Sequence, residues 1–490
     1  MLILYSEDDG ETTKRKILII HFLVTLGLAY HFENEIEHIV KVAFEKIANL
    51  IADENDLYTI SIMFRVFRTY GHNMSSDVFK RFIEDDEKFK RYLINDFKGM
   101  LSFYEALHFR TTTDYILDEA LSFTWSHLEP IATGQLASPG HISRLIQKAL
   151  HIPQHMNIEA LVAREYISFY EQEDNHDDTL LKLAKLNFKF LQLHYFQELK
   201  TITLWWRGLD QTSKLPPNFR ERTIESWLAA LMMYFEPQFS LGRIMSAKLY
   251  LAITFLDDAC DTYASIDEVM NLVDCIERYI LYIYFLKIYD VARTGSTSFW
   301  ALGKKILDPI IINFYLTNLQ LVKWAREDYM PSFDEYIEAG GAEIGSYTAI
   351  SCSVMGLGEI GKKRDFEWLR SRPKVVQVLA AKTRLMDDMT DYEEDIGKGY
   401  TANALNYYIK QHGVTKEKAI KEFGKMIKDI NKIVNEECLK TTNISRRVLN
   451  QIINYGRSLD VLYTSDDVFN HREGMFKEYI TTLLVDPIHL

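Results

Sequence analysis

Acidic side chains at helical spacing are the residues of this sequence whose types and positions could do chemistry. An apolar run ends in Asp257-Asp258-Ala259-Cys260-Asp261, a DDxxD motif. On a helix, Asp257 and Asp261 share one face, and Asp258 lies about 100° around the axis. Carboxylates on one face repel each other unless a cation lies between them, and hard oxygen ligands favour Mg²⁺ or Mn²⁺ over Zn²⁺. The motif indicates either such a metal site or the solvated first turn of a following helix.

A second acidic group lies farther along the chain, at Asp387, Asp391 and Asp395. At positions i, i+4 and i+8 of a helix, these side chains drift only about 80° over two turns, so all three can face one cleft. An exposed acidic helix is the alternative, but it does not account for the flanking cations Arg384 and Lys398. We therefore expect the two carboxylate rows to face each other in a helical bundle and to hold several divalent cations and a polyanion.

Two arginines that precede the first acidic motif could bind an anion. Arg220 and Arg222 follow the break at Pro216-Pro217 and open a predicted helix. Guanidinium groups match the geometry of phosphate oxygens, which makes the pair a candidate diphosphate site. An RxR pair on a protein surface is the more common alternative for an isolated case.

The elements that must position these residues are predicted to be helices. Apolar residues recur at three- and four-residue steps along most of the 490 residues, and glycine (22) and proline (10) are scarce. The sequence therefore predicts an all-α protein. Since the residues suited to chemistry follow position 200, we predict a supporting helical domain over residues 1–190 and a catalytic, metal-binding domain over residues 191–490.

Charge and cysteine usage exclude several classes of function. The formal net charge of −13 argues against nucleic-acid binding. The four cysteines form no CxxC pair, which argues against a structural zinc site or a disulfide scaffold. The apolar run over residues 17–30 is short for a membrane span and is interrupted by His21. We expect it to be a buried helix rather than a signal peptide, and we expect no membrane partner.

Taken in order, these motifs resemble those of the plant class I terpene synthases over most of the chain. The DDxxD motif looks like the aspartate-rich motif of that family, and the second acidic group takes the three ligand positions of its second metal motif. Arg220 and Arg222 match its RxR pair. The amino-acid sequence around residues 218–261 and 397–406 resembles that of the mustard-family branch of the sesquiterpene-type subfamily. Other matching stretches are Trp205-Trp206-Arg207, residues 234–240 and Leu483-Leu484-Val485-Asp486.

The resemblance implies a fold, a reaction and a set of site residues. It implies two helical domains, a C-terminal class I terpenoid synthase bundle and an N-terminal barrel-like domain. Three Mg²⁺ ions, or alternatively Mn²⁺, would clamp the diphosphate of a linear prenyl diphosphate and promote its ionisation, and cyclisation of the cation would give a terpene hydrocarbon or alcohol. The implied catalytic residues are Asp257, Asp258, Asp261, Arg220 and Arg222. The implied metal ligands are Asp257, Asp261, Asp387, Asp391 and Asp395. The implied diphosphate-binding residues are Arg220, Arg222, Arg384 and Lys398.

The sequence departs from the family pattern at several places. Asp391 replaces the usual Ser or Thr, and Asp395 the usual Glu, although both remain oxygen ligands. The stretch 279–299 is unlike the usual Trp-Asp continuation and looks shortened. The family resemblance also implies a lid near Tyr463, Asp466 and Asp467, and there Phe469 stands where a Tyr often occurs. No tandem-arginine segment precedes the N-terminal domain, so the chain is expected to begin late relative to the family.

Substrate length is predicted from small residues near the expected cavity. Ala229 stands where related sesquiterpene-forming enzymes often carry a large aromatic, and Gly340, Gly341 and Gly345 make the nearby helix break small. Both features would enlarge the cavity and favour geranylgeranyl or geranylfarnesyl diphosphate, with farnesyl diphosphate as the alternative. Each of the cavity candidates named next could instead be an ordinary residue of the hydrophobic core. The cavity candidates are Trp227, Ala229, Phe255, Gly345, Tyr347 and Tyr463.

Two other functions are compatible with the motifs. A chain-elongating prenyltransferase also uses paired DDxxD motifs, and Asp387-Asp388-Met389-Thr390-Asp391 reads as a second one, although the length of the chain and its supporting domain argue against it. A noncatalytic helical protein is the alternative from a different class. We expect a monomer or a weak dimer, located in the plastid or the cytoplasm.

Overall fold

The computed structural model describes most of the chain, with gaps. For residues 256–262 and for residue 398, the structure describes the helical backbone but not the side chains. The described residues are 10–84, 89–136, 138–209, 220–262, 267–268, 270–271, 313–314, 316–321, 323–324, 329–398, 402–464 and 473–490.

Two compact units divide the chain. One unit comprises Met1–Phe190, Asn435–Thr442 and Thr481–Leu490, and the other comprises Leu191–Val434 and Asn443–Ile480. Two short C-terminal segments thus group with the N-terminal unit. The predicted functional domains, 1–190 and 191–490, stay a prediction.

The N-terminal unit is built from helices joined by short turns. Its helices are α1 (Gly10–Thr25), α2 (Glu33–Glu45), α3 (Ile47–Ile51), α4 (Leu57–Thr69), α5 (Phe97–Leu107), α6 (Tyr115–Ala132), α7 (Gly140–His151), α8 (Glu159–Tyr170) and the first half of α9 (Asp178–Arg207). Short 3₁₀ helices lie between them at Ala29–Phe32, Ser76–Phe82, Arg91–Asn95 and Gln154–Met156.

The C-terminal unit contains the predicted site residues. Its helices after α9 are α10 (Thr223–Met233), α11 (Ser240–Thr262), α12 (Phe333–Glu343), α13 (Ser346–Gly356), α14 (Lys363–Arg370), α15 (Lys374–Thr390), α16 (Tyr392–Lys398), α17 (Ala404–His412), α18 (Lys416–Lys440), α19 (Arg446–Leu462) and α20 (Met475–Ile480). Pro237–Phe239 and Gly358–Ile360 are 3₁₀ helices of this unit, whereas α18 from Asn435 onward and the π-helix Thr481–Val485 group with the N-terminal unit.

Side-chain caps explain where several of these helices begin. Asp56 accepts a hydrogen bond from the Thr59 N–H at 2.9 Å and caps α4. Ser332 caps α12 through a reciprocal capping box with Glu335. Such caps satisfy backbone N–H groups that have no partner inside the helix. The Ser332 cap fixes where α12 begins, and α12 belongs to the unit that contains the predicted site residues.

Among the described residues, β structure is limited to one antiparallel bridge between Ile83 and Phe89. The all-α fold class predicted from the sequence is therefore confirmed. Of the predicted buried helix over 17–30, residues 17–25 lie in α1, with Ile17 and Ile20 fully buried, and the chain turns before the 3₁₀ helix Ala29–Phe32. No described helix combines the length and the apolar character needed to cross a bilayer.

Candidate active site

The first acidic motif occupies the last two turns of α11. The side chains of Asp257, Asp258 and Asp261 lie outside the described residues, so their shared face is a prediction from the helical backbone alone. The body of α11 is held against α13 by a glycine pair. A Cβ atom on Gly242 would lie 2.7 Å from the carbonyl oxygen of Gly356. Only glycine permits this close approach, which sets the position of the helix that carries the motif.

The second acidic group lies where α15 passes into α16. The N–H of Asp391 donates to the carbonyl of Asp387 at 3.0 Å, and the N–H of Asp395 donates to the carbonyl of Asp391 at 2.9 Å. Helical hydrogen bonding thus continues across the junction, and the three aspartates stand on successive turns. Carboxylates in such a row are the hard oxygen donors that suit Mg²⁺.

Convergence of the two acidic groups stays a prediction. Over the part of the chain with described side chains, no group of three or more His, Cys, Asp or Glu residues is arranged to hold a metal ion. The predicted metal site, however, also needs Asp257 and Asp261, whose side chains are outside that part.

Arg384 is a cation in direct contact with the second acidic group. Its guanidinium forms an ion pair with Glu343 at 3.1 Å, another with Asp388 at 2.5 Å, and a third with Asp387. Burial alone would lower the pKa of Arg384, but Asp388, Asp387 and Glu343 together raise it well above its ordinary value. Arg384 therefore carries a fixed positive charge beside Asp387, the first predicted metal ligand of the second acidic group.

Asp388 and Asn403 join α15, α16 and α17, and neither is among the site residues predicted from the sequence. The carboxylate of Asp388 accepts the Ala404 N–H at 2.6 Å, and burial raises the pKa of Asp388 to about 7 although Arg384 opposes the shift. The Asn403 amide donates to the Asp388 carbonyl and to the Asp395 carboxylate, both at 2.9 Å. An Asn just before a helix is a recognisable N-cap signal, but its contact with Asp395 depends on the fold.

Gly340 and Gly341 of α12 lie against α15, which contradicts the expectation that they enlarge a substrate cavity. A Cβ atom on Gly340 would lie 2.5 Å from Cδ of Arg384, and one on Gly341 would lie 3.2 Å from the backbone of Ala380. The space left by these glycines is filled by α15. The expectation that Gly340 and Gly341 enlarge a substrate cavity is therefore wrong, because their missing side chains make room for an arginine and a helix backbone.

The arginines of the RxR pair lie before and at the start of α10. Arg220 forms an ion pair with the buried Glu225 of that helix at 3.3 Å, and Arg222 is buried at the N-cap position. Their diphosphate-binding role stays a prediction. Lys398 ends α16, but its side chain lies outside the described residues, as do the 279–299 stretch and Phe469.

Trp227, a predicted cavity residue, is fully buried in the helical core. Its indole N–H donates to Glu198 at 3.1 Å, and its ring meets Tyr195 edge-on at a centroid distance of 5.7 Å. Glu198 also accepts two hydrogen bonds from Arg243, at 2.9 and 2.7 Å. These contacts give Trp227 a structural role, and its contact with a substrate stays a prediction.

The remaining cavity candidates are all partly exposed. Phe255 meets Trp206 edge-on at a centroid distance of 6.1 Å. Gly345 separates α12 from α13 with φ +79°, which explains why glycine stands at this break. The guanidinium of Arg372 lies 5.3 Å from the ring centre of Tyr347. The other two candidates, on α10 and at the end of α19, are Ala229 and Tyr463.

Comparison with known proteins places these features in a family. The family described as "Terpene synthase family, metal binding domain" matches residues 207–433, and "Terpene synthase, N-terminal domain" matches residues 1–150. Alpha-barbatene synthase of Arabidopsis thaliana is 67% identical, over 99% of this chain and 90% of that protein. (Z)-gamma-bisabolene synthase 2 of the same plant is 56% identical, over 100% of this chain and 91% of that protein.

Solved structures show the same fold. Isoprene synthase from grey poplar, in complex with three Mg²⁺ ions and dimethylallyl-S-thiolodiphosphate, superposes with a TM-score of 0.85 at 24% identity, over 97% of this chain and 93% of that one. Limonene synthase with 2-fluorolinalyl diphosphate gives a TM-score of 0.86 at 22% identity, over 97% and 91%. At these identities the likeness concerns the fold. Together with the two family matches and the close relatives, it confirms the resemblance drawn from the motifs: the chain belongs to the terpene synthase family, whose members are lyases that act on prenyl diphosphates.

Proposed function

We propose that this chain is a magnesium-dependent sesquiterpene synthase that ionises farnesyl diphosphate and cyclises the resulting cation. Barbatene and bisabolene are both sesquiterpenes, and the synthases named for them are 67% and 56% identical to this chain. Gly340 and Gly341 do not enlarge a cavity for a longer substrate, because α15 fills the space beside them. Farnesyl diphosphate is therefore preferred over geranylgeranyl and geranylfarnesyl diphosphate.

The observation that carries this proposal is the row of Asp387, Asp391 and Asp395 on successive turns directly after Arg384. These three carboxylates, with Asp257 and Asp261, would hold the Mg²⁺ ions. When bound, Mg²⁺ withdraws electron density from the diphosphate leaving group.

The residues of the chain prepare this site by fixing charge. Arg384 is held between Glu343, Asp387 and Asp388, so a guanidinium is in place beside the acidic row without any reorganisation. Asn403 donates to one oxygen of Asp395 and so limits its rotation. Groups that are already oriented lower the barrier to charge separation, because they need not rearrange as diphosphate departs.

A substrate series tests the reaction and its chain length. The purified chain is incubated with Mg²⁺ and, separately, with geranyl, farnesyl, geranylgeranyl or geranylfarnesyl diphosphate, and released diphosphate and extractable terpenes are quantified. We expect the highest kcat/KM with farnesyl diphosphate. A higher value with a longer diphosphate would reject the proposed substrate, and a longer diphosphate formed on adding isopentenyl diphosphate would indicate a prenyltransferase.

Substitutions test the acidic row. We expect Asp387→Asn to lower kcat by about 100-fold, the loss typical of removing one group that stabilises developing charge. Asp429→Asn is the matched control, because Asp429 is an exposed carboxylate of α18 that lies 3.9 Å from the Lys432 nitrogen. Equal turnover of the two variants would contradict the assignment, and absence of terpene from the unaltered chain with all four substrates would indicate a noncatalytic protein.

A further inference from the structure

Three buried hydroxyl groups from three helices lie within hydrogen-bond distance of one another. The Tyr455 hydroxyl of α19 donates to Ser346 Oγ of α13 at 2.7 Å. Ser346 Oγ lies 3.0 Å from Thr383 Oγ1 of α15, and Thr383 Oγ1 lies 3.1 Å from the Tyr455 hydroxyl. All three residues are buried. We call Ser346, Thr383 and Tyr455 the hydroxyl cluster.

The hydrogen atoms of the cluster form one directed chain. Thr383 donates its hydroxyl hydrogen to the Leu379 carbonyl at 2.8 Å, and Tyr455 donates to Ser346. Ser346 is then the donor to Thr383, so each hydroxyl donates once. A buried polar group that loses its partner is costly, and neighbouring hydrogen bonds in such a chain depend on each other. The three residues therefore act as a unit.

The cluster connects the helix break to the predicted diphosphate-binding arginine. Ser346 is the first residue of α13 and directly follows Gly345, whose left-handed backbone (φ +79°) separates α12 from α13. Thr383 directly precedes Arg384 and lies one turn before Asp387. A displacement of the cluster would therefore shift the break relative to the group that binds the departing diphosphate.

We propose that the hydroxyl cluster is a specificity-determining positioning element, which holds the break at Gly345 in register with Arg384 while the cation cyclises. The inference rests on the proposed function. The cluster residues need not contact the substrate. Competing cyclisations differ by small free energies, so a shift of the break alters the product ratio, whereas diphosphate departure depends mainly on the acidic row and Arg384.

The test uses substitutions that remove one hydroxyl with little change of volume. Tyr455→Phe, Thr383→Val and Ser346→Ala are compared with the unaltered chain for diphosphate release, KM for farnesyl diphosphate and the ratio of all terpene products. We expect each to change the product ratio by at least about twofold, the effect of losing one buried hydrogen bond, with KM and release within about twofold. Thr383→Ser keeps the hydroxyl and should retain the original ratio.

Matched controls separate positioning from general loss of a buried hydroxyl. Ser353 lies on α13 as well, is fully buried, and donates only within its helix, to the Ile350 carbonyl at 2.8 Å. Ser458 of α19 likewise donates to the Tyr455 carbonyl at 2.7 Å. Ser353→Ala and Ser458→Ala should leave the product ratio unchanged. The double variant Thr383→Val/Tyr455→Phe should match the larger single effect rather than the sum, because the hydroxyls act as a unit.

The outcomes distinguish failure of this inference from failure of the proposed function. If the unaltered chain releases diphosphate and forms terpenes, but the cluster variants keep its product ratio, the positioning role is wrong and the function stands. A ratio that changes equally in the Ser353→Ala control also overturns the positioning role. If no prenyl diphosphate is turned over by the unaltered chain, the proposed function and this inference both fail.

Discussion

Replacing Gly340 by alanine should separate catalysis from stability. A Cβ atom at this position would lie 2.5 Å from Cδ and 3.0 Å from Cγ of Arg384. Ordinary carbon contacts are about 3.5–4.0 Å, so the arginine side chain must retreat by about 1 Å. It cannot do so freely, because its guanidinium is paired with Glu343, Asp387 and Asp388.

Gly340→Ala should lower the stability of the protein only slightly but its turnover strongly. Overpacking typically costs about 1–3 kcal/mol, while alanine in place of glycine inside α12 returns about 1 kcal/mol of helix propensity. The net loss of stability should therefore be only about 0–2 kcal/mol. Displacing a substrate-positioning group by about 1 Å, however, can lower the rate by about 100-fold. We expect kcat for diphosphate release to fall by about 10- to 100-fold.

The assay combines steady-state diphosphate release with urea unfolding. Gly424→Ala is the matched control, because Gly424 also lies inside a helix, α18, and a Cβ atom there would meet nothing within 4 Å. It should raise stability by about 0.5–1 kcal/mol and leave kcat unchanged. Unchanged turnover in Gly340→Ala would contradict this prediction, since it would mean that Arg384 can move without consequence.

Three further predictions concern the scaffold. Glu198→Gln leaves the buried Arg243 without its counter-charge and should lower the free energy of unfolding by about 3–5 kcal/mol, measured with urea; a loss within error would contradict the pairing. Burial raises the pKa of Glu105 from 4.5 to about 7 and lowers the pKa of His108 from 6.5 to about 3. The stabilisation that depends on Glu105 is therefore lost as the pH rises from about 4.5 to 7, whereas that which depends on His108 is lost as the pH falls below about 6.5. Between about pH 4.5 and 6.5, these two opposing effects on the free energy of unfolding offset each other. Glu105→Gln should consequently make thermal stability fall more steeply on acidification across this window than in the unaltered chain, and an identical pH profile would argue against the raised pKa. Ser332→Ala removes the cap of α12 and should cost about 1 kcal/mol in urea unfolding, with no loss if the capping box does not contribute.

The row of the second acidic group was predictable from the sequence because it depends on local geometry. A helix places residues four apart on adjacent turns through its own backbone hydrogen bonds, so Asp387, Asp391 and Asp395 needed no distant contact to align. Apolar spacing likewise predicted the all-α class, because periodicity within a segment reports the helix directly.

The surroundings of Gly340 were misread for the opposite reason. A glycine in a sequence can mark open space or a close approach, and the choice depends on the helix packed against it. The position of α15 decided this case, because Arg384 lies over Gly340.

Spacing along the chain was therefore enough to predict the helical class and the acidic side chains that stand on successive turns. Tertiary structure alone decided that Arg384 pairs with Glu343, 41 residues away, and that Ser346, Thr383 and Tyr455 meet. The physical reason is that spacing along a helix follows from bonds within one segment, whereas contacts between helices depend on how their side chains pack, and many pairings satisfy the same local pattern.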